Sequence, residues 1–95
     1  MVKTICHIIN IENNKTSIRL TNVEWNAINL ICQTENLKRK NLFNIINKNK
    51  NKELSLAGSV RLFSIIYFQK KLTNKLNSNK LENSPPIFDA IKGIK

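Results

Sequence analysis

Apolar positions alternate along the first part of the chain, and after residue 22 they recur every three or four residues. Val2 to Ile11 is rich in β-branched residues (Val2, Thr4, Ile5, Ile8, Ile9 and Ile11) and predicts a strand. Glu12, Asn13 and Asn14 supply turn chemistry, because asparagine tolerates left-handed backbone. Lys15 to Leu20 alternates strictly, with Thr16, Ile18 and Leu20 on one face and Lys15, Ser17 and Arg19 on the other. The first strand is free either to fold back on the second as a hairpin or to extend a ribbon, and the sequence leaves both open. A short strand in a mostly helical chain must pair its backbone groups with something. That requirement predicts pairing with a second copy of the chain.

Three helices are predicted next. The first runs from about Val23 to Glu35, with Trp25, Ile28, Ile31 and Cys32 on one apolar face. Thr21 or Asn22 caps it, Glu24 favours its positive end, and Asn36 sits where a helix-ending residue with positive φ is wanted. The second runs from about Arg39 to Asn47, with Leu42, Ile45 and Ile46 as its inward stripe and Phe43 alongside. It gives way to an Asn-Lys run over residues 47 to 52 that suits a solvated loop. The third, from about Leu56 to Leu72 with Ser55 as its cap, is the most apolar. Leu56, Val60, Phe63, Ile66 and Tyr67 line one side, and Leu62, Ile65, Phe68 and Leu72 widen the band. So broad a band exceeds what one small monomer needs and again predicts a second chain. Residues 73 to 80 turn polar and read as a linker or helix end, and Pro85-Pro86 interrupts regular structure. Ile87, Phe88, Ile91 and Ile94 then form a short amphipathic turn, read either as a surface-docked tail or as a docking peptide for a partner protein.

Composition narrows the function. The 95 residues suffice for one domain, and 41% of them are apolar, as in a globular protein. The net charge of +10 is unevenly placed: residues 1–37 carry three basic and three acidic groups, and the excess starts at Lys38-Arg39-Lys40. Lys, Asn and Ile supply 43 residues, the mark of an A/T-rich coding sequence. Such a bias would enrich Asp and Glu too, and there are six, so the charge points to a polyanion, with nucleic acid ahead of anionic lipid. With one His, six scattered acids and no phosphate-cradling glycine loop, an enzyme is not expected. Cys6 and Cys32 lack metal or redox spacing, so reduced thiols and no cofactor or metal are expected. The N-terminal stretch has no signal-peptide pattern and no run approaches a membrane span, so a cytoplasmic location is expected.

The strand Thr16-Ser17-Ile18-Arg19-Leu20, the helix start Glu24-Trp25, Leu42 and Ile46, and the segment Leu54 to Phe63 occur in that order. Together they resemble a bacterial family of ribbon-helix-helix DNA-binding proteins, the subtype with an added third helix. The resemblance covers roughly residues 15 to 70. It implies a mainly α fold with a short N-terminal strand: an intertwined homodimer whose strands form an intermolecular antiparallel β-ribbon. Such a ribbon enters the major groove of double-stranded DNA. The implied base-contacting residues are Lys15, Ser17 and Arg19, of which Arg19 can take guanine O6 and N7 bidentately. The implied phosphate clamp is the start of the second helix, at Lys38, Arg39 and Lys40. The implied dimer core is Ile18, Leu20, Trp25, Ile28, Leu42, Ile46 and Phe63. Residues 1–14 then form an N-terminal strand or arm, 15–72 the ribbon-helix-helix domain with its third helix, and 73–95 a polar linker and tail.

This chain departs from the family in having Lys38 where a small hydroxyl residue often caps the second helix, and Asn36 where many relatives have glycine. The expected function is a transcriptional regulator, acting as a repressor. The alternative is an antitoxin-like interaction protein whose residues 73–95 bind a protein partner. Trp25 reads as core rather than as a base-stacking platform. Arg61, inside an apolar helix, reads as a structural hydrogen-bond or ion-pair residue, with Glu35 or a helix-end carbonyl as its partner.

Overall fold

The structure, a computed structural model, describes residues 3–76 and 85–95. Its elements are β1 (Thr4–Ile11), β2 (Asn14–Thr21), α1 (Asn22–Glu35), α2 (Arg39–Asn49), α3 (Leu56–Leu76) and α4 (Pro86–Gly93). The start of the predicted first strand at Val2 and the linker beyond residue 76 lie outside the described residues.

The two strands form an antiparallel hairpin within one chain, in register from Thr4 opposite Thr21 to Ile11 opposite Asn14. The reason is local. Glu12 and Asn13 both adopt positive φ (51° and 68°), the backbone of a two-residue turn whose twist matches that of the strands it joins. The Glu12 N–H donates to Asn44 Oδ1 at 3.1 Å, tying the turn to α2. Of the two readings the sequence left open for the first strand, the hairpin is the one formed: β1 pairs with one edge of β2, and the other edge stays open. The hairpin's inner face buries Ile9, Ile11, Ile18 and Leu20.

Helix α1 begins with a complete capping box. The Glu24 N–H donates to Thr21 Oγ1 at 3.2 Å, and the Thr21 N–H donates to Glu24 Oε1 at 2.7 Å. It ends at Asn36, left-handed at φ 55° and ψ 46°, whose N–H reaches back to the last turn. Its buried side chains are Trp25, Ile28 and Ile31, as the spacing predicted. Trp25 is a core residue whose Nε1–H donates to the Ile5 carbonyl at 2.8 Å, which fastens α1 to β1. Helix α2 contributes Leu42, Phe43 and Ile46, and α3 contributes Val60, Phe63 and Tyr67. Ser55 caps α3 by accepting from the Gly58 N–H at 3.0 Å.

The broad apolar band of α3 finds some of its cover within the same chain. Part of it is covered by the chain's own C-terminus, because α4 packs on α3 and buries Ala90 and Ile94. The backbone comes so close at Gly93 that a Cβ there would collide with Ile66 Cδ1. The Asn51 N–H donates to the Ile94 carbonyl at 2.6 Å, and Lys70 pairs with Asp89 at 3.5 Å. Phe88 remains exposed. Ile65, Phe68, Leu72 and Leu76 also stay exposed, so α4 covers only part of the band.

Candidate nucleic-acid interface

The face of the hairpin turned away from the core is exposed along both strands. On β2 it presents Lys15, Ser17 and Arg19, all open to solvent, while Ile18 and Leu20 anchor the strand from behind. The sequence grouped these three side chains, and the structure keeps them in one row on a rigid support. It also adds a row that sequence reasoning did not assign. Cross-strand pairing sets Cys6 beside Arg19, Ile8 beside Ser17 and Asn10 beside Lys15, all exposed on the same outer face. The signal was present in the two-residue Glu12-Asn13 turn, which fixes the register once both residues are allowed positive φ.

The same register assigns the backbone groups. In a hairpin closed by a two-residue turn, Ile11 and Asn14 form a hydrogen-bonded pair, and the pairs alternate from there. Lys15, Ser17 and Arg19 then occupy non-hydrogen-bonded positions, where N–H and C=O point to the outer edge of β2. Consistent with this, Arg61 Nη2 approaches the Arg19 carbonyl from that side at 3.4 Å.

Arg61 itself is a structural residue, as its place in an apolar helix implied, but its partner is not Glu35. Its Nε donates to Glu24 Oε2 at 2.6 Å, bridging α3 to the capping box of α1. Glu35 is occupied elsewhere, accepting from the Tyr67 hydroxyl at 2.6 Å. Burial, then that hydrogen bond and the charge of Glu35, push the Tyr67 phenol well above its ordinary value.

At the start of α2, Lys38 stands at the N-cap with extended backbone and makes no side-chain cap. The first N–H groups of α2 therefore have no side-chain acceptor at the cap, at the positive end of the helix, with exposed Lys38 and Lys40 beside them. Arg39 is half-buried and engaged. Its Nη2 donates to Asn29 Oδ1 at 2.8 Å, and its guanidinium carbon lies 4.9 Å from the centroid of the Trp25 ring.

The seven side chains expected at a dimer core, Ile18, Leu20, Trp25, Ile28, Leu42, Ile46 and Phe63, are all buried within one chain. A second copy would meet other groups: the open edge of β2, or apolar side chains that remain exposed, such as Ile5, Val23 and Leu30. Cys6 is exposed and Cys32 half-buried, both as free thiols. Among the described residues no group of three or more His, Cys, Asp and Glu is placed to hold a metal ion. No described helix is long and apolar enough to cross a membrane.

A hairpin with a cationic outer face, two helices joined by a short turn, and a third helix closing the core define a ribbon-helix-helix architecture. The family model of the ribbon-helix-helix domain matches residues 4–68, a stretch that takes in β1 as well as β2, α1, α2 and most of α3. The chain belongs to the ribbon-helix-helix family, whose domains are typically DNA-binding regulators. Comparison with curated proteins and with solved structures returned no match.

Proposed function

We propose that this protein binds double-stranded DNA sequence-specifically as a homodimer and acts as a transcriptional regulator, in the manner of a repressor. The observation that carries this reading is the exposed row Lys15, Ser17 and Arg19 on a strand whose outer edge is open. Two copies pair those edges antiparallel, giving a ribbon in the order β1-β2-β2-β1 with both reading rows at its centre. The central strands enter the major groove, where Arg19 takes guanine O6 and N7, Ser17 accepts several bases and Lys15 takes a base or a phosphate. The unfilled N–H groups at the start of α2, with Lys38 and Lys40, hold a flanking phosphate, and Arg39 steadies that helix against Trp25. The function calls for no catalytic group, cofactor or metal, and its place of action is where the DNA is, the cytoplasm of a bacterial cell.

Selection of binding sites from a random duplex pool, followed by affinity measurements across salt concentrations, tests the proposal. Binding weakens steeply with salt as phosphate neutralisation releases counterions. Arg19→Ala loses about 1–3 kcal/mol on the selected duplex and little on random DNA. Wild-type affinity of that variant for the selected duplex would show that the reading face is misassigned.

A further inference from the structure

The second row of the hairpin's outer face contains a side chain that solvent alone does not explain. Ile8 stands opposite Ser17, between the Cys6–Arg19 and Asn10–Lys15 pairs, and is 67% exposed. Its neighbour Ile9 and the next inward residue, Ile11, are core residues, whereas Ile8 lies at the centre of a polar, cationic surface. Strand propensity alone is served equally well by the β-branched, polar threonine.

We propose that Ile8 is a specificity-determining residue of the DNA interface, packing its side chain on the C5-methyl group of a thymine. The proposal rests on the DNA-binding function assigned to this face, and it follows from where β1 must lie. With the two β2 strands paired at the centre, each β1 strand sits one strand spacing further out. Four strands about 4.8 Å apart place the outer pair about 14 Å from each other. The major groove is about 12 Å wide, so the inner rows meet the middle of the base edges and the outer rows meet the groove walls. The thymine methyl projects at that side of its base pair, next to the sugar-phosphate of its own strand, and is the apolar group on the major-groove edge. An isolated apolar side chain set beside Lys15 and Arg19 matches that mixed surface of methyl and phosphate. An anionic lipid surface would instead reward a cluster of apolar side chains, and this face offers one large aliphatic.

The test uses the full chain and a duplex selected from a random pool with it. Thymines in that duplex are replaced one at a time by deoxyuridine, which lacks only the methyl group, and affinity is read by fluorescence anisotropy. At one position in each half-site the wild type weakens by about fourfold, the worth of one buried methyl group. Ile8→Ala weakens binding to the thymine duplex by at least as much and no longer distinguishes deoxyuridine from thymine there. Ile8→Thr keeps the β-branch and so the strand, and it also loses that discrimination, with helix content by circular dichroism unchanged. The proposal is overturned if both variants bind as wild type does, or if both keep the wild-type response to deoxyuridine. In that event a persisting loss for Arg19→Ala leaves the DNA-binding function standing. If the pool yields no enriched duplex, that function fails, and the role of Ile8 fails with it.

Discussion

Glu24 joins three parts of the molecule through one carboxylate. One oxygen accepts from the Thr21 N–H at the head of α1, and the other accepts from Arg61 on α3, which also reaches the Arg19 carbonyl on β2. Burial pushes this carboxyl up. The Thr21 N–H, the Arg61 guanidinium and the Thr21 hydroxyl together outweigh it and hold the group below its ordinary value of 4.5. A carboxyl whose pKa is lower folded than unfolded adds stability that is complete above the unfolded value. That stability is lost as pH falls through the depressed native one. Glu24→Gln keeps the shape and the neutral hydrogen bonds but removes the charge. The variant should lose about 1 kcal/mol at neutral pH, since the Arg61 pair is partly exposed and capping effects are of that size. Urea titrations of both proteins should show the difference shrinking as pH drops below about 4.5, because protonation then costs the wild type the same interaction. A difference that stays constant down to pH 3 would mean the charge of Glu24 contributes nothing.

At the scale of elements, local signals and long-range contacts divided the work. Thr21, Asn36 and Ser55 cap their helices as their residue types foretold, because a cap needs only a side-chain oxygen or a tolerated left-handed φ within a few positions. The C-terminal turn is a different case. Its pattern of Ile87, Phe88, Ile91 and Ile94 predicted a short amphipathic turn, but an apolar stripe does not name what it covers, and Phe88 stays exposed. The cover is its own α3, with Ile94 fully buried and its carbonyl held by Asn51. Ile94→Ala should therefore cost about 2–4 kcal/mol of unfolding free energy, the range for truncating a buried aliphatic side chain. Chemical denaturation measures this directly, and a midpoint unchanged from wild type would mean that α4 is not docked. The Lys70–Asp89 pair adds little beside that packing, since half-exposed ion pairs contribute at most about 1 kcal/mol.

At the scale of the whole molecule, the proposed dimer needs a surface where a second copy attaches. The residues that the resemblance assigned to a dimer core close the core of one chain. Besides exposed apolar side chains such as Ile5, Val23 and Leu30, the chain offers the outer edge of β2, where Ser17 carries an N–H that the pairing with β1 does not use. Ser17→Pro removes that donor while leaving the hairpin ladder intact, and proline is tolerated at such an edge position. The variant should keep its helix content by circular dichroism, run as a monomer by light scattering, and bind DNA markedly more weakly. A dimer of wild-type strength would place the interface elsewhere. Charge acts at this scale too: under the proposed function the +10 excess favours any polyanion, and discrimination between duplexes falls to the hairpin.

The sequence by itself determined the elements and their faces. The alternation of Lys15 to Leu20 separated Arg19 from Ile18, and the spacing of Trp25, Ile28 and Ile31 aimed α1 inward, because both patterns follow from backbone geometry over a few residues. It also set Lys15, Ser17 and Arg19 in one outward row, since outward positions on one strand need no knowledge of the rest of the chain. Only the tertiary structure decided which partner each surface found. It gave β2 a neighbour within its own chain, placed Ile8 and Asn10 beside that row, gave Arg61 to Glu24 and Glu35 to Tyr67, and laid α4 over Ile66. Each of these is a choice among contacts distant along the chain and nearly alike in chemistry. Such choices are settled by how the whole core packs, which no short stretch of sequence contains.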